Sequence, residues 1–232
     1  MRLAVVIPAY NEEANIELLL ESIGRTTVEG IEITPIVVND CSGDRTAEIV
    51  KKTGTELIDL PVNLGIGGAV QTGMVFALEN GFDLAVQVDG DGQHPPQEIS
   101  KLIDKMLSSE ADVVIGSRFL KKEGFQSSGM RRLGINYLRF TIKILTGLDI
   151  TDSTSGFRLY NRRALQLIND YYPDEYPEPE AVIYFHKKGL KIVEAPVLMQ
   201  SRKGGKTSIT FFNSIYYFWK VSLAIIFSYL KS

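Results

Sequence analysis

Short apolar runs alternate with helical patterns along the first half of the chain, and this rhythm restricts the fold more than any other feature. "LAVVI" (3–7) is followed by Ile16, Leu19, Leu20 and Ile23 at helical spacing, then by "ITPIVV" (33–38) and the helix former "GDRTAEIVKK". The alternation continues through "TELIDL", a helix from about Ile66 to Asn80, the strand "FDLAVQV", a helix carrying Ile99, Leu102, Ile103 and Met106, and the strand "ADVVIGS". Runs of strand length that alternate with helices point to βαβ units, so the expected architecture is α/β: a mostly parallel central sheet with helices on both faces. Ligands of such a sheet sit beyond the carboxyl ends of its strands. "PAYNEE", "NDCSGD", "NLGIGG" and "DGDGQHPP" all fall at such ends and converge on one crevice.

With 232 residues, 44% hydrophobic, the chain has enough apolar material for one globular domain, and it carries no internal repeat. One cysteine, Cys41, and two histidines exclude an internal disulfide and a zinc-type ligand set, which suits a reducing compartment. The opening "MRLAVVIPAYNEE" is broken by Pro8 and reads as a first strand, not a signal peptide. The net charge of -3 hides an asymmetry: residues 1–100 hold 5 Lys+Arg against 16 Asp+Glu, and the remainder hold 20 against 12. A basic second half attracts phosphates or acidic headgroups, or is simply a solvated face.

Between Arg118 and Lys143, seven Lys/Arg stand against Glu123 alone, interleaved with Leu133, Ile135, Tyr137, Leu138, Phe140, Ile142, Ile144 and Leu145. That mixture fits a membrane interface, and equally a helix with a core side and a wet side. "ITFFNSIYYFWKVSLAIIFSYL" (209–230) has a single charge, Lys220, and eight of the 22 aromatics. As a helix it would be roughly 33 Å long, about one hydrocarbon thickness. Its polar stripe of Asn213, Tyr217, Lys220 and Ala224 favours an interfacial or partner-packed helix over a lone span. The partition is therefore a domain over 1–208 and a hydrophobic C-terminal helix over 209–232.

Asp89 and Asp91 follow the strand "LAVQV", where alternation would point both to one side. They form either a solvated turn or a site for a hard cation such as Mg²⁺ or Mn²⁺, which takes carboxylate oxygens and completes its shell with phosphates and water. Gln93 can add an amide oxygen; Gly90 and Gly92 leave room for a ligand against the backbone; His94 and the prolines steer the chain into the next helix. "NLGIGGAVQTG" (63–73) is no dinucleotide fingerprint, because Val70 stands where a small residue is needed. It reads as a helix N-terminus whose N–H groups face an anion, or as a structural turn. Asp40 can accept from a nucleobase N–H, and Asp44 suits a helix cap. "SRKGGKTS" (201–208) gathers Arg202, Lys203 and Lys206 in a loop that could close over a diphosphate or serve no role.

Taken in order, "PAYNEE", "VVNDCSGDRT", "NLGIGGAVQTG", "VDGDGQHPP", "GSRF", "DSTSGFRLYNRRAL" and "EAPVLMQSRKGGKTS" resemble the family-two glycosyltransferases of GT-A fold. The likeness spans roughly residues 3–208 and is closest to the dolichyl- and polyprenyl-phosphate mannose and glucose synthases. Each motif is weak alone; the ordered set is specific. The resemblance implies that Pro8, Tyr10, Glu12, Val38, Asp40, Asn63 and Gly90 surround the nucleotide sugar. It implies that Asp89, Asp91 and Gln93 hold Mg²⁺ or Mn²⁺ on the diphosphate, with Arg202 and Lys206 closing over the leaving group. Arg118, with Arg131 or Arg132, would receive the acceptor's phosphate. Asn39 stands where many members carry a second aspartate.

The activity implied is inverting transfer of a hexose from a nucleoside-diphosphate sugar to a polyprenyl phosphate, at the cytoplasmic face of a membrane. Members of this kind often continue into two or more spans, so peripheral attachment or a small membrane-protein partner is expected here. A homo-oligomer is compatible with the pattern, and no nucleic acid is expected. Glu178 and Glu180 of "YPEPEAVIYF" lie about where hydroxyl-using members carry a catalytic acid; Glu180 is either a base or a helix-opening residue. Two rivals stand beside the lipid-phosphate reading: extension of a surface polysaccharide by attack of a sugar hydroxyl, and a non-catalytic nucleotide-sugar-binding partner.

Overall fold

The computed structural model describes residues 1–121, 129–174, 177–200, 220–225 and 229. Their strands are β1 (Arg2–Ala9), β2 (Glu32–Asn39), β3 (Glu56–Asp59), β4 (Leu84–Gln87), β5 (Val113–Ser117), β6 (Arg158–Asn161) and β7 (Ile192–Pro196). They form one sheet in the order β3-β2-β1-β4-β6-β5-β7. β1 pairs in parallel with β2 from Arg2↔Glu32 to Ala9↔Asn39, and with β4 from Leu3↔Leu84 to Val6↔Gln87. β6 runs antiparallel to both β4 and β5, and the remaining pairs, β2 with β3 and β5 with β7, are parallel. The sheet is mostly parallel, as the βαβ rhythm requires.

Alternation along β1 sorts the two cores. Leu3, Val5 and Ile7 face α1 (Ile16–Gly24), α2 (Thr46–Thr53) and α4 (Ile99–Ser109), whereas Ala4 and Val6 face the opposite layer. That second layer holds α3 (Gly65–Glu79), α5 (Gly129–Thr146), α6 (Arg162–Asp170) and α7 (Pro177–Lys187). In α4 the buried stripe is Ile99, Leu102, Ile103 and Met106, the four residues whose spacing predicted it. α6 starts where the Asn161 side chain accepts from the Ala164 N–H at 2.9 Å.

Residues 209–219 of the expected C-terminal helix lie outside the described residues. Residues 220–225 are helical, and Val221 and Ile225 are buried in the same core as Leu138 and Ile142 of α5. For these residues the partner is the domain itself. No helix among the described residues is long and apolar enough to cross a membrane.

Pro8 lies beyond the last β1–β4 pair, so its missing N–H costs no ladder bond on that side. Strand order reverses at this point, since the chain moves outward from β1 to β2 and β3 on one side and to β4 and β6 on the other. An open α/β sheet places its ligand crevice at such a switch.

α3 approaches the sheet over Gly73, where a β-carbon would lie 2.3 Å from Val6 Cγ1 and 3.0 Å from Val38 Cγ2. Both neighbours are stiff, β-branched and fully buried. Gly73→Ala is expected to destabilise the domain by about 1–3 kcal/mol through overpacking. Urea unfolding measures it; a change within about 0.5 kcal/mol, the range of neutral surface substitutions, would refute the close-packing argument.

Candidate functional site

Two loops make one wall of the crevice. Asn11, with φ +56°, donates its N–H to Ser42 Oγ at 2.9 Å, and its Oδ1 accepts from the Gly43 N–H at 2.8 Å. The Glu12 N–H reaches Thr46 Oγ1 at 2.9 Å, and Asp44 accepts from the Glu13 and Thr46 N–H groups; the N-cap of α2 is Arg45, so Asp44 stands one residue before the cap expected of it. The loops after β1 and β2 are thus a single unit, with the Tyr10 ring 54% exposed on it. Glu12 is buried and accepts from Asn15 Nδ2. The Val38 side chain belongs to the core, so only its backbone faces the crevice end of β2.

Asp40 is engaged differently from the sequence expectation. Its two carboxylate oxygens accept from the N–H groups of Leu64 at 2.6 Å and Gly65 at 3.0 Å, and Asn63 Nδ2 donates to its carbonyl at 3.1 Å. The anion expected at the α3 N-terminus is therefore supplied by the chain, which satisfies the first free N–H groups and complements the helix dipole. Each carboxylate oxygen of Asp40 has a further lone pair beyond these donors.

β4 ends at Gln87, and Asp89 to Gly92 form a turn closed by the Gly92 N–H on the Asp89 carbonyl at 3.4 Å, with Gly92 at φ +74°. Strand alternation thus stops before the two aspartates, and the turn places them. Asp89 Oδ1 accepts from Gln87 Nε2 at 2.9 Å, and Asp91 Oδ1 accepts from the Gln93 N–H at 3.0 Å. Gly90 also packs closely on the first loop: a β-carbon there would lie 3.2 Å from the Pro8 carbonyl and 3.3 Å from Glu12 Cγ. Gly156 leaves room for both Gln87 and Asp89, since a β-carbon there would lie 2.7 Å from Gln87 Nε2 and 3.3 Å from both Asp89 carboxylate oxygens.

His94, assigned from sequence only to steering the chain, is a buried part of this turn. Its ring is 4% exposed, stacks on Phe157 with centroids 5.0 Å apart, and accepts the Asp89 N–H on Nδ1 at 3.1 Å.

The opposite wall carries the cation. Arg118 is buried and binds Asp152 with two donors, Nε and Nη2, each at 2.7 Å; Nη2 also reaches Thr154 Oγ1 at 3.2 Å. Burial would lower the guanidinium pKa, but the Asp152 hydrogen bonds and charge, with the Asp89 charge, hold it above the ordinary value. Glu194 of β7 fixes the Asp152 segment by accepting from the N–H groups of Thr151 and Asp152, both at 2.8 Å. Burial pushes the Glu194 carboxyl up, against those hydrogen bonds. Arg118 and Arg132 also flank the Phe119 ring, at 5.3 and 5.9 Å from its centroid. Arg131 lies on α5 with its side chain outside those described, and Arg202 and Lys206 lie outside the described residues.

The two glutamates of α7 separate, as residues two apart on a helix do. Glu180 accepts from the Tyr171 hydroxyl at 3.1 Å, and Tyr171 is pushed up to about 12 by burial and by Glu180. Glu178 is raised by burial, against the charge of Arg158, and it also feels Asp89.

Asp89, Gln93, Arg118, Thr154, Gly156 and Gln200 line one cavity. Just behind it lie Gln87 Oε1, Ser153 Oγ and Arg158 Nη1, the buried side-chain atoms without a hydrogen-bond partner among the described residues. Orphans of this kind cost about 1–3 kcal/mol each, and all three stand in the strands and loop that surround Asp89. Arg158 is otherwise satisfied by the carbonyls of Ser153 and Ser155, both at 2.8 Å.

Comparison with known proteins agrees with this geometry. Residues 4–168 match the model of glycosyl transferase family 2. The UDP-N-acetylglucosamine–dolichyl-phosphate N-acetylglucosaminyltransferase of Methanococcus voltae is 32% identical over 216 residues, covering 83% of this chain and 83% of that protein. The polyprenol monophosphomannose synthase of Mycolicibacterium smegmatis is 28% identical over 219 residues, covering 90% and 81%. Among solved structures, glucosyl-3-phosphoglycerate synthase from Mycobacterium tuberculosis in complex with Mn²⁺, UDP-glucose and phosphoglyceric acid superposes with a TM-score of 0.68. It is 20% identical, over 99% of this chain and 79% of that one, and so shares the fold. A crevice at the strand-order switch, an aspartate turn on one wall, a buried arginine on the other and a family model matching residues 4–168 give one conclusion: the chain belongs to glycosyl transferase family 2.

Proposed function

We propose that this protein transfers a hexose from a nucleoside-diphosphate sugar to a polyprenyl phosphate, with inversion at the anomeric carbon. The observation that carries the reading is the single cavity that Asp89 and Arg118 line together. A carboxylate turn and a permanently charged guanidinium face the same space, which suits a donor diphosphate held through a cation and an acceptor that is itself an anion. The residues fit a hard cation: Asp89 and Asp91 are carboxylates in one turn, Gln93 adds an amide oxygen, and Gly156 leaves room beside Asp89. Mg²⁺ or Mn²⁺, when bound, would offset the charge that develops on the departing diphosphate.

The chain's own residues do the rest. The exposed Tyr10 ring offers the nucleotide an apolar face, and the loop unit beneath it is fixed by its internal hydrogen bonds. Arg118, held rigid by Asp152, presents its charge to the acceptor phosphate, whose oxygen bonds to the anomeric carbon as the bond to the diphosphate breaks. Such an oxygen is already anionic, so the reaction needs positioning more than a base. Arg202 and Lys206 would complete the leaving-group side.

A lipid acceptor requires a membrane-facing surface, and α5 offers one. Ile135, Leu138 and Ile142 are buried, while Leu133, Tyr137, Phe140 and Ile144, at spacings of four and three, are each at least half exposed on the outer face. Arg132 stands beside this stripe and over the ring of Phe119, the residue that follows the cavity-lining Arg118. The other cations are more restrained than the sequence suggested: Arg139 and Lys143 both bind Asp149, at 2.6 and 3.3 Å, and Arg139 first, then Lys143, pull its carboxyl down to about 2. An apolar stripe flanked by cations that Asp149 engages suits shallow insertion at the cytoplasmic face more than pure electrostatic adhesion.

Transfer of radiolabel from UDP-, GDP- and dTDP-sugars into a butanol-extractable, acid-labile lipid tests the activity. One donor is expected to label the lipid in the presence of Mg²⁺ or Mn²⁺, and Asp89→Asn to reduce the rate by about 10²-fold or more. Label confined to water-soluble glycan would support the sugar-hydroxyl reading, and metal-dependent nucleotide binding without transfer from any donor would support the non-catalytic one.

Glu180→Gln is expected to keep lipid transfer within about threefold, because loss of a working base costs about 10²–10⁴-fold. A drop of that larger size would restore Glu180 to the chemistry.

Vesicle flotation tests α5. Leu133→Ser/Phe140→Ser/Ile144→Ser is expected to lower binding to anionic vesicles by about tenfold or more, since each burial is worth about 1.5–3 kcal/mol at most, with thermal unfolding little changed. Unchanged flotation would remove α5 from the membrane contact.

A further inference from the structure

We infer that His94 is the positioning residue of the Asp89 turn: its imidazole takes the Asp89 backbone N–H, and so orients the carboxylate for a divalent cation without occupying it. The inference rests on the cation reading above and assigns His94 a role beyond it.

The β1–β4 ladder ends with the Val88 N–H on the Val6 carbonyl at 2.9 Å; alternation turns the next N–H, that of Asp89, to the β6 side, beyond the last β4–β6 pair, Val86↔Leu159. His94 Nδ1 accepts this N–H at 3.1 Å. A ring nitrogen that accepts carries no proton, so the proton of the neutral ring is on Nε2. Nε2 lies 3.8 Å from Asp89 Oδ2, beyond hydrogen-bond length. The ring therefore fixes the backbone from which the carboxylate springs without using up the lone pairs of Oδ2.

The ring itself is fixed. It stacks on Phe157 at an interplanar angle of 14°, and Phe157 is fully buried. Phe157 follows Gly156, the residue whose missing β-carbon leaves room for Gln87 and Asp89. One imidazole thus joins the aspartate turn to the loop beside it. The two prolines that follow, Pro95 and Pro96, restrict the backbone that delivers the ring.

Groups that orient a metal ligand from behind typically change metal affinity by about 10–100-fold when removed. Three full-length variants separate the parts of the argument. His94→Phe keeps a stacking ring and removes the acceptor, His94→Asn places an amide oxygen close to the Nδ1 position and removes the ring, and His94→Ala removes both. Mn²⁺ alone is titrated into each, free ion being followed by its EPR signal, and thermal unfolding is recorded without metal.

The expected result is a dissociation constant raised about 10–100-fold in His94→Phe, most of it recovered in His94→Asn, with metal-free unfolding of the two variants alike. Should His94→Phe fail to fold, His94→Ala carries the loss arm. Wild-type affinity in the variants that lack the acceptor would overturn the inference, as would a loss in His94→Asn equal to that in His94→Phe. Failure of the wild type itself to bind Mn²⁺ would be a different result: it would refute the cation reading, and this inference with it.

Discussion

The reversal of strand order between β1 and β4 is the constraint from which the site follows. Where two neighbouring parallel strands send their chains to opposite sides, their ends separate and leave a gap that no crossover fills. The β1 end delivers Pro8 to Glu12 and the β4 end delivers Asp89 to Gln93, and Gly90 packs against the Pro8 carbonyl to set the depth of that gap. Neither segment is free to drift. The first is tied to the β2 loop through Asn11, Ser42 and Thr46, and the second is tied to β6 through His94 on Phe157.

Electrostatics divide the crevice in the same way. The β1–β4 side carries the acids of the aspartate turn, and the β5 side carries Arg118. A buried guanidinium would be costly alone; Asp152 compensates it, and Glu194, itself raised by burial, holds the Asp152 backbone through its N–H groups. Charge on this wall is therefore stabilised by a chain of contacts reaching to β7. The arrangement keeps a cation within the field of Asp89 while Asp152 holds it through two hydrogen bonds.

The strands and helices of the first half were legible because they obey local rules: apolar runs of strand length, helical spacing, and polar turns at strand ends. The candidate site was legible at the level of which loops converge, and the resemblance to a glycosyltransferase family sharpened it. What escaped depends on contacts distant in sequence. Asp40 looked like a free base-binding acid, but Leu64 and Gly65 return to it from 24 and 25 residues later. Arg118 was legible as one cation in a mixed run, but its burial was not, since its partner Asp152 lies 34 residues on. Glu178 and Glu180 are indistinguishable as letters; helix phase alone sends one toward Arg158 and the other to Tyr171. His94 offered a signal that went unused: an imidazole five residues after an aspartate, across a turn, is within reach of that aspartate's backbone.

The antiparallel strand β6 gave no clear pattern, since "RLYN" is neither a continuous apolar run nor a clean alternation. Its direction nevertheless decides the chemistry of the far wall. A strand reversed against its neighbours presents its beginning, not its end, at the crevice, so residues 152–158 arrive there as the chain enters the sheet. That entrance supplies Asp152 to Arg118, the open flank of Gly156 to Asp89, the Phe157 ring to His94, and Arg158 to the buried wall behind them. Were β6 parallel, the crevice would instead receive Asn161, Arg162 and Arg163. Asn161 and Arg163 now bind Asp112 at the opposite end of the sheet. One inverted strand thus accounts for both the partner that holds the buried Arg118 in place and the glycine flank beside Asp89.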